Sequence, residues 1–511
     1  MRCIVTTETE TQAPKALADP SARVLYLPEF TDRTSNPCLV WRAEWPTKHL
    51  PDHGIEAKIL GAMEPIVYRP TKEERKADSQ RSAVEIRQDL PSGESHAQRV
   101  LETYKEEVDK HDVVIFGRTG HNFMKDLIAY ARSQGKKVGY EVDDLTFGPH
   151  SVFFQSQDYQ NPQHRANIEG MVEGINAQIK DADFVIASTP YLVEEAAALR
   201  GSKDTVFQLK NRMDLDVVRD VMPEISHTKT KDIRIGYASS AHHAKKILLL
   251  KPVFEELHKK YGDDVVVVVK GFHDAEGNLP TAGEARKDVE ELQRFFAEKG
   301  VRHEFHPYTP TGDLTDYYKG LADLKLDIML NPQDDDPYHE GKSELKYLEA
   351  AVIGAPIVTP VIGGCGHALA GTRNGVLIDR DGNSSAYVNA LSALIENPRF
   401  RQELAMNARA HLLSEYDAKK SSRELADIVS RVRSPSLDTQ VFCLLNEGAS
   451  ALDGNAQTFK DSLRPRLESM RDSSGRGFTP EEVEQNLEFA LRHMDWDRET
   501  TYEDIAIDTA A

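Results

Sequence analysis

The sequence predicts an α/β protein with two parallel-sheet domains. Short apolar runs alternate with helical patterns in two successive series, which is typical of strand–helix–strand units. One run, 265–269, consists of five consecutive valines, and such a run suits a parallel strand buried on both faces. The chain has 511 residues, enough for about three domains. We therefore divide it into two α/β domains, 1–215 and 216–432, and a C-terminal extension, 433–511.

The first series follows a polar leader and includes a charge-rich stretch at 68–98 that we expect on the surface. Gly135 and Gly201 each follow a helical pattern, as expected for helix ends. The pattern predicts strands at 23–27, 55–66, 112–116, 137–142, 183–187 and 206–209. It predicts helices at 42–53, 100–108, 122–134, 168–180 and 190–199.

The second series begins after a seam near 214–231. Its central helix, 343–353, ends where Gly354 can terminate it and Pro356 prevents its continuation. The predicted strands are 233–238, 265–269, 301–306, 327–330, 356–359 and 374–378. The predicted helices are 245–261, 284–299, 314–321 and 343–353, with two more after the last strand.

The alternation ends near residue 432. The extension is polar and has one good helix signal, Thr479-Pro480-Glu481-Glu482, with Thr as N-cap and Pro at the first helical position. Parallel sheets bind ligands beyond the carboxyl ends of their strands. With two such domains, the crevice between them is the expected binding site.

The charge balance limits the classes of partner. Lys and Arg total 63 and Asp and Glu total 83, which gives a net charge of −20. This balance argues against extensive binding to nucleic acid or to an anionic membrane, although it leaves a locally basic groove open.

The four cysteines, Cys3, Cys38, Cys365 and Cys443, form no CxxC pair, so a zinc ribbon or a disulfide scaffold is not supported. The first residues lack the apolar core of a signal peptide. Prolines and glycines interrupt the longest charge-poor stretch, 350–371, so we expect no transmembrane segment. The sequence therefore predicts a cytoplasmic protein with reduced thiols, and it leaves a homo-oligomer open.

The segment around residue 345 holds the most informative side chains. On a helix, Lys342, Lys346 and Glu349 would share one face. Two ammonium groups at the positive end of a helix favour a diphosphate, and a carboxylate further along can accept the paired hydroxyls of a ribose. The alternative is a solvated face with an ordinary Lys–Glu pair, and spacing alone does not separate the two.

Other short stretches add to this segment, in chain order: Phe116-Gly-Arg-Thr-Gly-His, Tyr140-Glu-Val-Asp-Asp-Leu, Leu209-Lys-Asn-Arg-Met-Asp, Ile235-Gly-Tyr-Ala-Ser-Ser-Ala-His-His, Val267-Val-Val-Lys-Gly and Asp327-Ile-Met-Leu-Asn-Pro. Together they resemble elements of the GT-B glycosyltransferases, especially the retaining family four (glycosyl transferases group 1), over about residues 20–430. The resemblance implies a GT-B fold of two Rossmann-like domains facing a cleft. It also implies sugar transfer from a nucleoside-diphosphate sugar to a hydroxyl acceptor, such as a glycan or a lipid-linked sugar.

The resemblance implies a donor site in the second domain, where Glu349 would bind the ribose. Gly363 and Gly364 would offer backbone N–H groups to the donor sugar. The other implied donor-side residues are Lys342, Ser343, Lys346, Lys245 or Lys246, Ser240, His243 and Lys270.

Three residues are the predicted catalytic groups. By resemblance, His121 would lie against the donor sugar. Lys246 and Lys346 would stabilise the charge that develops on the leaving diphosphate, which fixed cations can do without a metal. Retention is implied by the family, and a carboxylate nucleophile of the glycosidase kind is not required. We expect no cofactor and no metal, with the nucleotide sugar as co-substrate.

The acceptor side is predicted in the first domain. Asp143 and Asp144 end a buried strand, where carboxylates are poised for an acceptor hydroxyl, and Arg118 would contact the acceptor or cap the strand. A GT-A metal pair is a rival interpretation of the two aspartates, but that fold would not explain the second series. The run 334–336 is expected to be a solvated loop.

The sequence also departs from the family pattern. The family often carries a glutamate eight positions before the one matching Glu349, where this chain has Gly341, with Glu340 one position away. Arg212 replaces the glycine of an Asn-Gly-x-Asp element. Alternatives therefore remain: the same transfer to hydroxylated DNA bases, protein or a small metabolite, or a catalytically silent module that binds nucleotide sugar or partners.

Overall fold

The computed structural model describes residues 22–28, 38–60, 96–118, 122–274, 276–280, 283–308, 314–433, 456–469, 477–484 and 487. They fall into two compact units. The larger unit comprises Arg23–Leu50 and Ala57–Leu425 and contains both sheets apart from Glu56. The candidate site lies entirely in this unit.

The first sheet has six strands in the order β2-β1-β3-β4-β5-β6. From β1 to β6 along this order the paired strands are parallel, and Tyr26 of β1 lies beside Ile115 of β3. The strands are β1 (Arg23–Leu27), β2 (Glu56–Ile59), β3 (Val113–Phe116), β4 (Lys137–Val142), β5 (Phe184–Ala187) and β6 (Val206–Gln208). The helices of this part are α1 (Trp45–Lys48), α2 (His96–Asp109), α3 (Asn122–Ser133), α4 (Gln157–Gln160), α5 (Pro162–Asp181), α6 (Pro190–Arg200) and α7 (Leu215–Val218).

The second sheet has six strands in the order β12-β11-β10-β7-β8-β9, and all its pairs are parallel. The strands are β7 (Ile233–Ala238), β8 (Val265–Lys270), β9 (His303–His306), β10 (Ile328–Leu330), β11 (Ile357–Pro360) and β12 (Val376–Ile378). The helices are α8 (Ala244–Leu248), α9 (Lys251–Tyr261), α10 (Glu284–Lys299), α11 (Leu314–Ala322), α12 (Pro337–Glu340), α13 (Leu345–Ile353), α14 (Gly363–Leu369), α15 (Ser384–Glu396), α16 (Pro398–Glu415) and α17 (Ala418–Arg433).

This arrangement confirms the predicted fold class of two Rossmann-like parallel sheets. The valine strand is β8, and every one of its residues is buried, as a strand with helices on both faces must be. The direction of strand order reverses between β1 and β3 in one sheet and between β7 and β10 in the other. Such switch points create a crevice beyond the carboxyl ends of the strands.

Several predicted elements differ from the structure. The helix expected at 42–53 is a π-helical turn at Val40–Glu44, the helix α1 and a 3₁₀ turn at Leu50–His53, and the helix expected at 168–180 begins earlier, as α5. The helix expected at 245–261 is two helices, α8 and α9, because Pro252 has no N–H to donate to a preceding turn and starts a new helix instead. The helix expected at 343–353 begins only at Leu345, after Glu344 as N-cap. Of the strand expected at 55–66, Glu56–Ile59 forms β2, and residues 61–66 lie outside the described residues.

The core consists of three apolar clusters. One fills the first domain between its sheet and helices, with Phe116 and Tyr140 among its buried members. Two lie on opposite faces of the second sheet, and one of these also takes in Trp41 and Trp45 from the segment before α1. The first domain is thus anchored to the second by aromatic packing.

In the smaller unit the structure describes helix α18 (Ala456–Ser469) and a helical stretch at 480–484. The predicted cap is confirmed: Glu482 N–H donates to Thr479 Oγ1 at 3.2 Å, and Thr479 N–H donates to the Glu482 carboxylate at 2.8 Å. Among the described residues, no helix is both long and apolar enough to span a membrane.

Candidate functional site

Lys342 forms the central ion pair of the site. Its Nζ lies 2.7 Å from Asp144 Oδ1 and 4.4 Å from the centre of the Tyr338 ring. Burial opposes the charge, but Asp144 outweighs burial and raises the pKa of Lys342. Burial likewise opposes the Asp144 charge, yet Lys342 and Arg118 lower the pKa of Asp144. Lys342 precedes α13, so the predicted single helical face of Lys342, Lys346 and Glu349 is wrong.

Asn211 links Ser343 to Asp143, one of the residues predicted for the acceptor side. The Asn211 amide donates to Asp143 Oδ1 at 3.1 Å and to Ser343 Oγ at 3.0 Å. Asn211 is fully buried. The amide therefore fixes Asp143, which follows β4, against the segment that leads into the donor-side helix.

Lys346 and Glu349 lie one turn apart on α13 and pair with each other. Lys346 Nζ donates to Glu349 Oε2 at 2.7 Å, and Tyr317 Oη donates to Oε1 at 3.1 Å. Glu349 is buried, and burial raises the pKa of Tyr317 well above its usual value. Both carboxylate oxygens of Glu349 therefore accept hydrogen bonds. The hydroxyls of a ribose can take the place of these donors or donate to the same oxygens beside them.

Positive charge concentrates where the loop after β7 approaches this segment. Burial and the charge of Lys246 lower the pKa of His243 to about 3, with Lys342 and Lys346 contributing. Burial lowers the pKa of Lys246 to about 8, although Asp334 opposes this shift. His243 is therefore neutral near neutral pH, and the three lysines are close enough to perturb its titration.

The other donor-side candidates are placed differently. Lys246 Nζ donates to Gln333 Oε1 at 3.1 Å, whereas its neighbour Lys245 is exposed. Ser240 precedes the short turn that carries His243 and makes no capping hydrogen bond there with its side chain. Lys270 ends β8, is buried, and donates to the Pro307 carbonyl at 3.4 Å.

Gly363 and Gly364 allow two backbone segments to approach closely. Gly363 has φ +61°, and a Cβ there would overlap the carbonyl oxygen of His339. Gly364 N–H donates to the Lys342 carbonyl at 2.7 Å, and a Cβ at Gly364 would lie 2.7 Å from Glu344 N. The two glycines at the start of α14 therefore hold the Lys342 backbone in place, and the Gly364 N–H that was expected to face a sugar donates to the Lys342 carbonyl instead.

The run 334–336 is more structured than a solvated loop. Asp336 caps α12, accepting from His339 N at 2.9 Å and from its Nδ1 at 2.8 Å. His339 Nε2 lies 3.8 Å from Asp334, and Asp335 accepts from Arg380 at 2.7 Å. Ligand atoms of Asp334, Asp336 and His339 lie within 4.8 Å of one another, so a cation fits geometrically. The prediction of a metal-free site stays a prediction.

On the acceptor side, Arg118 Nη1 lies 3.5 Å from Asp144 Oδ2. Two further residues here, Arg42 and Tyr26, were missed from the sequence. They line the same pocket as Asp143 and Asp144. The available signal was an arginine inside the apolar run 39–43. The predicted catalytic residue His121 lies outside the described residues.

Arg212, one of the departures from the family pattern, has a structural partner. Its guanidinium donates to both carboxylate oxygens of Glu424 on α17, at 2.6 and 2.7 Å, and to Ser421 at 3.1 Å. The arginine therefore ties the segment after β6 to the first turns of α17.

Two parallel sheets, each with a switch point, form the GT-B fold. Residues 218–411 match the family described as Glycosyl transferases group 1. Both findings confirm the resemblance drawn from the sequence at the level of GT-B and group 1. The family domain indicates a glycosyltransferase. Family four in particular stays a prediction.

Solved structures show the same fold at low identity. Sucrose-phosphate synthase from Thermosynechococcus elongatus is 15% identical, with a TM-score of 0.54. HepE from Anabaena, solved with UDP and glucose, is 15% identical with a TM-score of 0.51, and WaaG, a glycosyltransferase involved in lipopolysaccharide biosynthesis, is 14% identical with 0.50. Each alignment covers 80% of this chain and 99% of the other. No curated protein matches the chain.

Proposed function

We propose that the protein transfers a sugar, in the first instance a hexose, from a nucleoside-diphosphate sugar to a hydroxyl group of an acceptor. One observation carries the proposal: Lys246, Lys342 and Lys346 all lie near His243, Lys346 pairs with Glu349, and Lys342 directly contacts Asp144 of the predicted acceptor side. A donor diphosphate among these lysines would bring the bond to be broken close to the acceptor-side carboxylates.

The lysines supply the electrostatic part of the reaction. Cleavage of the sugar–phosphate bond develops negative charge on the leaving diphosphate, and preorganised cations stabilise that charge at no cost of reorganisation. Lys246 donates to the neutral side chain of Gln333, and Lys346 donates to one carboxylate, that of Glu349. Both ammonium groups can therefore also donate to a diphosphate. Glu349 would exchange part of its bond to Lys346 for the hydroxyls of the ribose.

Lys342 would link donor binding to the acceptor side. Its ammonium group pairs with the carboxylate of Asp144. A diphosphate that draws Lys342 toward itself would weaken this ion pair. The Asp144 carboxylate would then be free to accept a hydrogen bond from the attacking hydroxyl. Retention of configuration and independence of metal belong to this proposal through the family resemblance.

The neighbouring structures suggest the first donor to test. HepE was solved with UDP and with UDP-glucose. We therefore propose a UDP-linked sugar as the donor. The acceptor side offers carboxylates and guanidinium groups for hydroxyl recognition, which suits a glycan or a lipid-linked sugar.

The experiment is a panel of nucleotide sugars incubated with the full chain, with and without hydroxyl acceptors, and monitored for release of the nucleoside diphosphate. We expect release with at least one donor and no loss of rate in EDTA. A rate that falls in EDTA and returns with Mn²⁺ would contradict metal independence and implicate the Asp334–His339 cluster. An Asp334→Asn variant is the matched test of that cluster.

A second candidate is a catalytically silent nucleotide-sugar-binding module, which Gly341 at the position of the usual first glutamate favours. This candidate predicts measurable donor binding by calorimetry together with no diphosphate release for any donor. Release above the rate of a Lys346→Met variant would exclude it.

A further inference from the structure

The loop between β10 and α13 holds a histidine that the proposed reaction does not use. His339 lies in α12 and is only 5% exposed. Its Nε2 atom is buried, and no hydrogen-bond partner for this atom lies within the described part of the chain. Buried polar atoms are normally satisfied, so an unpaired imidazole nitrogen at this position points to a ligand.

Asp336 determines which nitrogen of the imidazole carries the proton. Its Oδ2 lies 2.8 Å from His339 Nδ1, and its Oδ1 accepts from the His339 backbone N–H at 2.9 Å. An ionised carboxylate can only accept, so the neutral imidazole donates from Nδ1 and keeps a lone pair on Nε2. A carboxylate that orients an imidazole in this way is the usual arrangement behind a metal-bound histidine.

A second acceptor, the carboxylate of Asp334, lies beside this lone pair. Asp334 Oδ2 is 3.8 Å from His339 Nε2, too far for a hydrogen bond, and neither atom has a proton to offer the other. Two ligand atoms of a tetrahedral zinc ion lie about 3.4 Å apart, given bonds of about 2.1 Å. The Asp334 side chain is 48% exposed, so it can move by the remaining ~0.4 Å, and water can complete the coordination.

The charges near the ring favour a divalent cation. Asp334 and Asp336 carry two negative charges, and Lys246 is the nearby cation that acts on His339. Asp335, between the two aspartates, is already paired with Arg380. The balance beside the ring is therefore about −1. A nitrogen ligand suits Zn²⁺, whereas Mg²⁺ and Ca²⁺ take oxygen ligands.

We propose that His339 Nε2 and Asp334 bind a Zn²⁺ ion, while Asp336 orients the imidazole. The ion would fix the loop that leads from β10 to Lys342, since the Lys342 backbone N–H donates to the His339 carbonyl at 3.2 Å. The site is structural, and it stands apart from the sugar transfer, for which the proposed function needs no metal.

The test compares Asp334→Asn with a matched control, Asp335→Asn. The two side chains are 48% and 50% exposed, and each substitution replaces a carboxylate of the same loop by a neutral amide. A third variant, Asp336→Asn, keeps a good helix cap and removes the charge behind the imidazole. The full chain, freed of metal with EDTA and dialysed, is titrated with Zn²⁺ and with Mg²⁺ by calorimetry, and its melting temperature is recorded with and without each metal.

We expect Zn²⁺ to bind the wild type and Asp335→Asn and to raise their melting temperatures, with no comparable response to Mg²⁺. Asp336→Asn should weaken Zn²⁺ binding about 10- to 100-fold, as does loss of other groups that orient a metal-bound histidine, and Asp334→Asn should weaken it at least as much. Equal Zn²⁺ affinity in Asp334→Asn and Asp335→Asn, Mg²⁺ binding as tight as that of Zn²⁺, or no saturable Zn²⁺ binding would each overturn the assignment. Diphosphate release is measured separately and reports on the proposed function alone.

Discussion

Replacement of Lys342 by Met tests the ion pair at the centre of the site. At 2.7 Å and an effective dielectric constant of about 20, the two unit charges attract by roughly 6 kcal/mol before desolvation is subtracted. The side chains of Lys342 and Asp144 are 30% and 24% exposed, so the pair is neither fully exposed nor fully buried. Exposed ion pairs contribute about 0–1 kcal/mol to stability, and breaking a buried pair costs about 3–5 kcal/mol. We therefore expect Lys342→Met to lower the free energy of unfolding by about 2 kcal/mol.

The same substitution should lower activity far more than stability alone explains. If Lys342 stabilises the leaving diphosphate, kcat/KM should fall by about 100-fold, as for loss of one preorganised donor to a developing anion. Urea denaturation measures the first effect, and diphosphate release at a temperature where the variant is folded measures the second.

The double variant Lys342→Met/Asp144→Asn separates the two roles. Each single change leaves one charge without its partner, so the stability losses should sum to more than the loss in the double variant. Activity should stay low in the double variant, because the cation is still missing. A Lys342→Met protein that keeps kcat/KM within about twofold of the wild type would refute the assignment of Lys342 to the diphosphate.

The remaining predictions concern the other lysines, the ribose contact and the loop glycines. Affinity for UDP, measured by calorimetry, should fall as pH rises through about 8, because the half-buried Lys246 loses its proton there. Lys246→Gln should abolish this pH dependence, whereas Lys245→Gln, at an exposed position, should keep it. In steady-state kinetics, Glu349→Gln should raise donor KM about 10- to 100-fold through lost charge-assisted hydrogen bonds. In urea denaturation, Gly371→Ala should lower the free energy of unfolding by about 1 kcal/mol, because alanine is strained in the left-handed backbone conformation of this residue. Gly363→Ala should lower the free energy of unfolding clearly more, because its Cβ would also overlap a carbonyl oxygen.

Each of these predictions has a result that contradicts it. Equal pH profiles for the Lys246 and Lys245 variants would remove Lys246 from the donor site. Unchanged donor KM in Glu349→Gln would end the ribose assignment. Equal costs at Gly363 and Gly371, of which the second has open space around its Cβ position, would show that the loop after β11 moves freely away from the Lys342 segment.

The sheets could be predicted from the sequence because their signals are local. A run of five valines such as 265–269 has to be buried on both faces, and this requirement can be recognised from consecutive residues alone. The same holds for helix ends, where a glycine or a proline acts through its own backbone geometry, as at Gly354. The order of strands and helices then led to the fold class.

The position of Lys342 shows where local signals end. Helical spacing predicted one face with Lys346 and Glu349, but the helix starts at Leu345 because the preceding backbone is bound elsewhere. The Lys342 carbonyl accepts from Gly364 N–H, and the Lys342 side chain reaches Asp144, 198 positions away in the chain. No periodicity in the sequence encodes either contact.

The sequence by itself determined the two parallel sheets and the region, around residue 345, where positive charge meets a carboxylate. Only the tertiary structure decided which of the adjacent lysines 245 and 246 approaches His243, and that Arg42 and Tyr26 line one pocket with Asp143 and Asp144. The physical reason is that burial and charge pairing depend on neighbours brought together by folding. Arg42 is held in that pocket by Glu141 and Asn211, which lie 99 and 169 positions away.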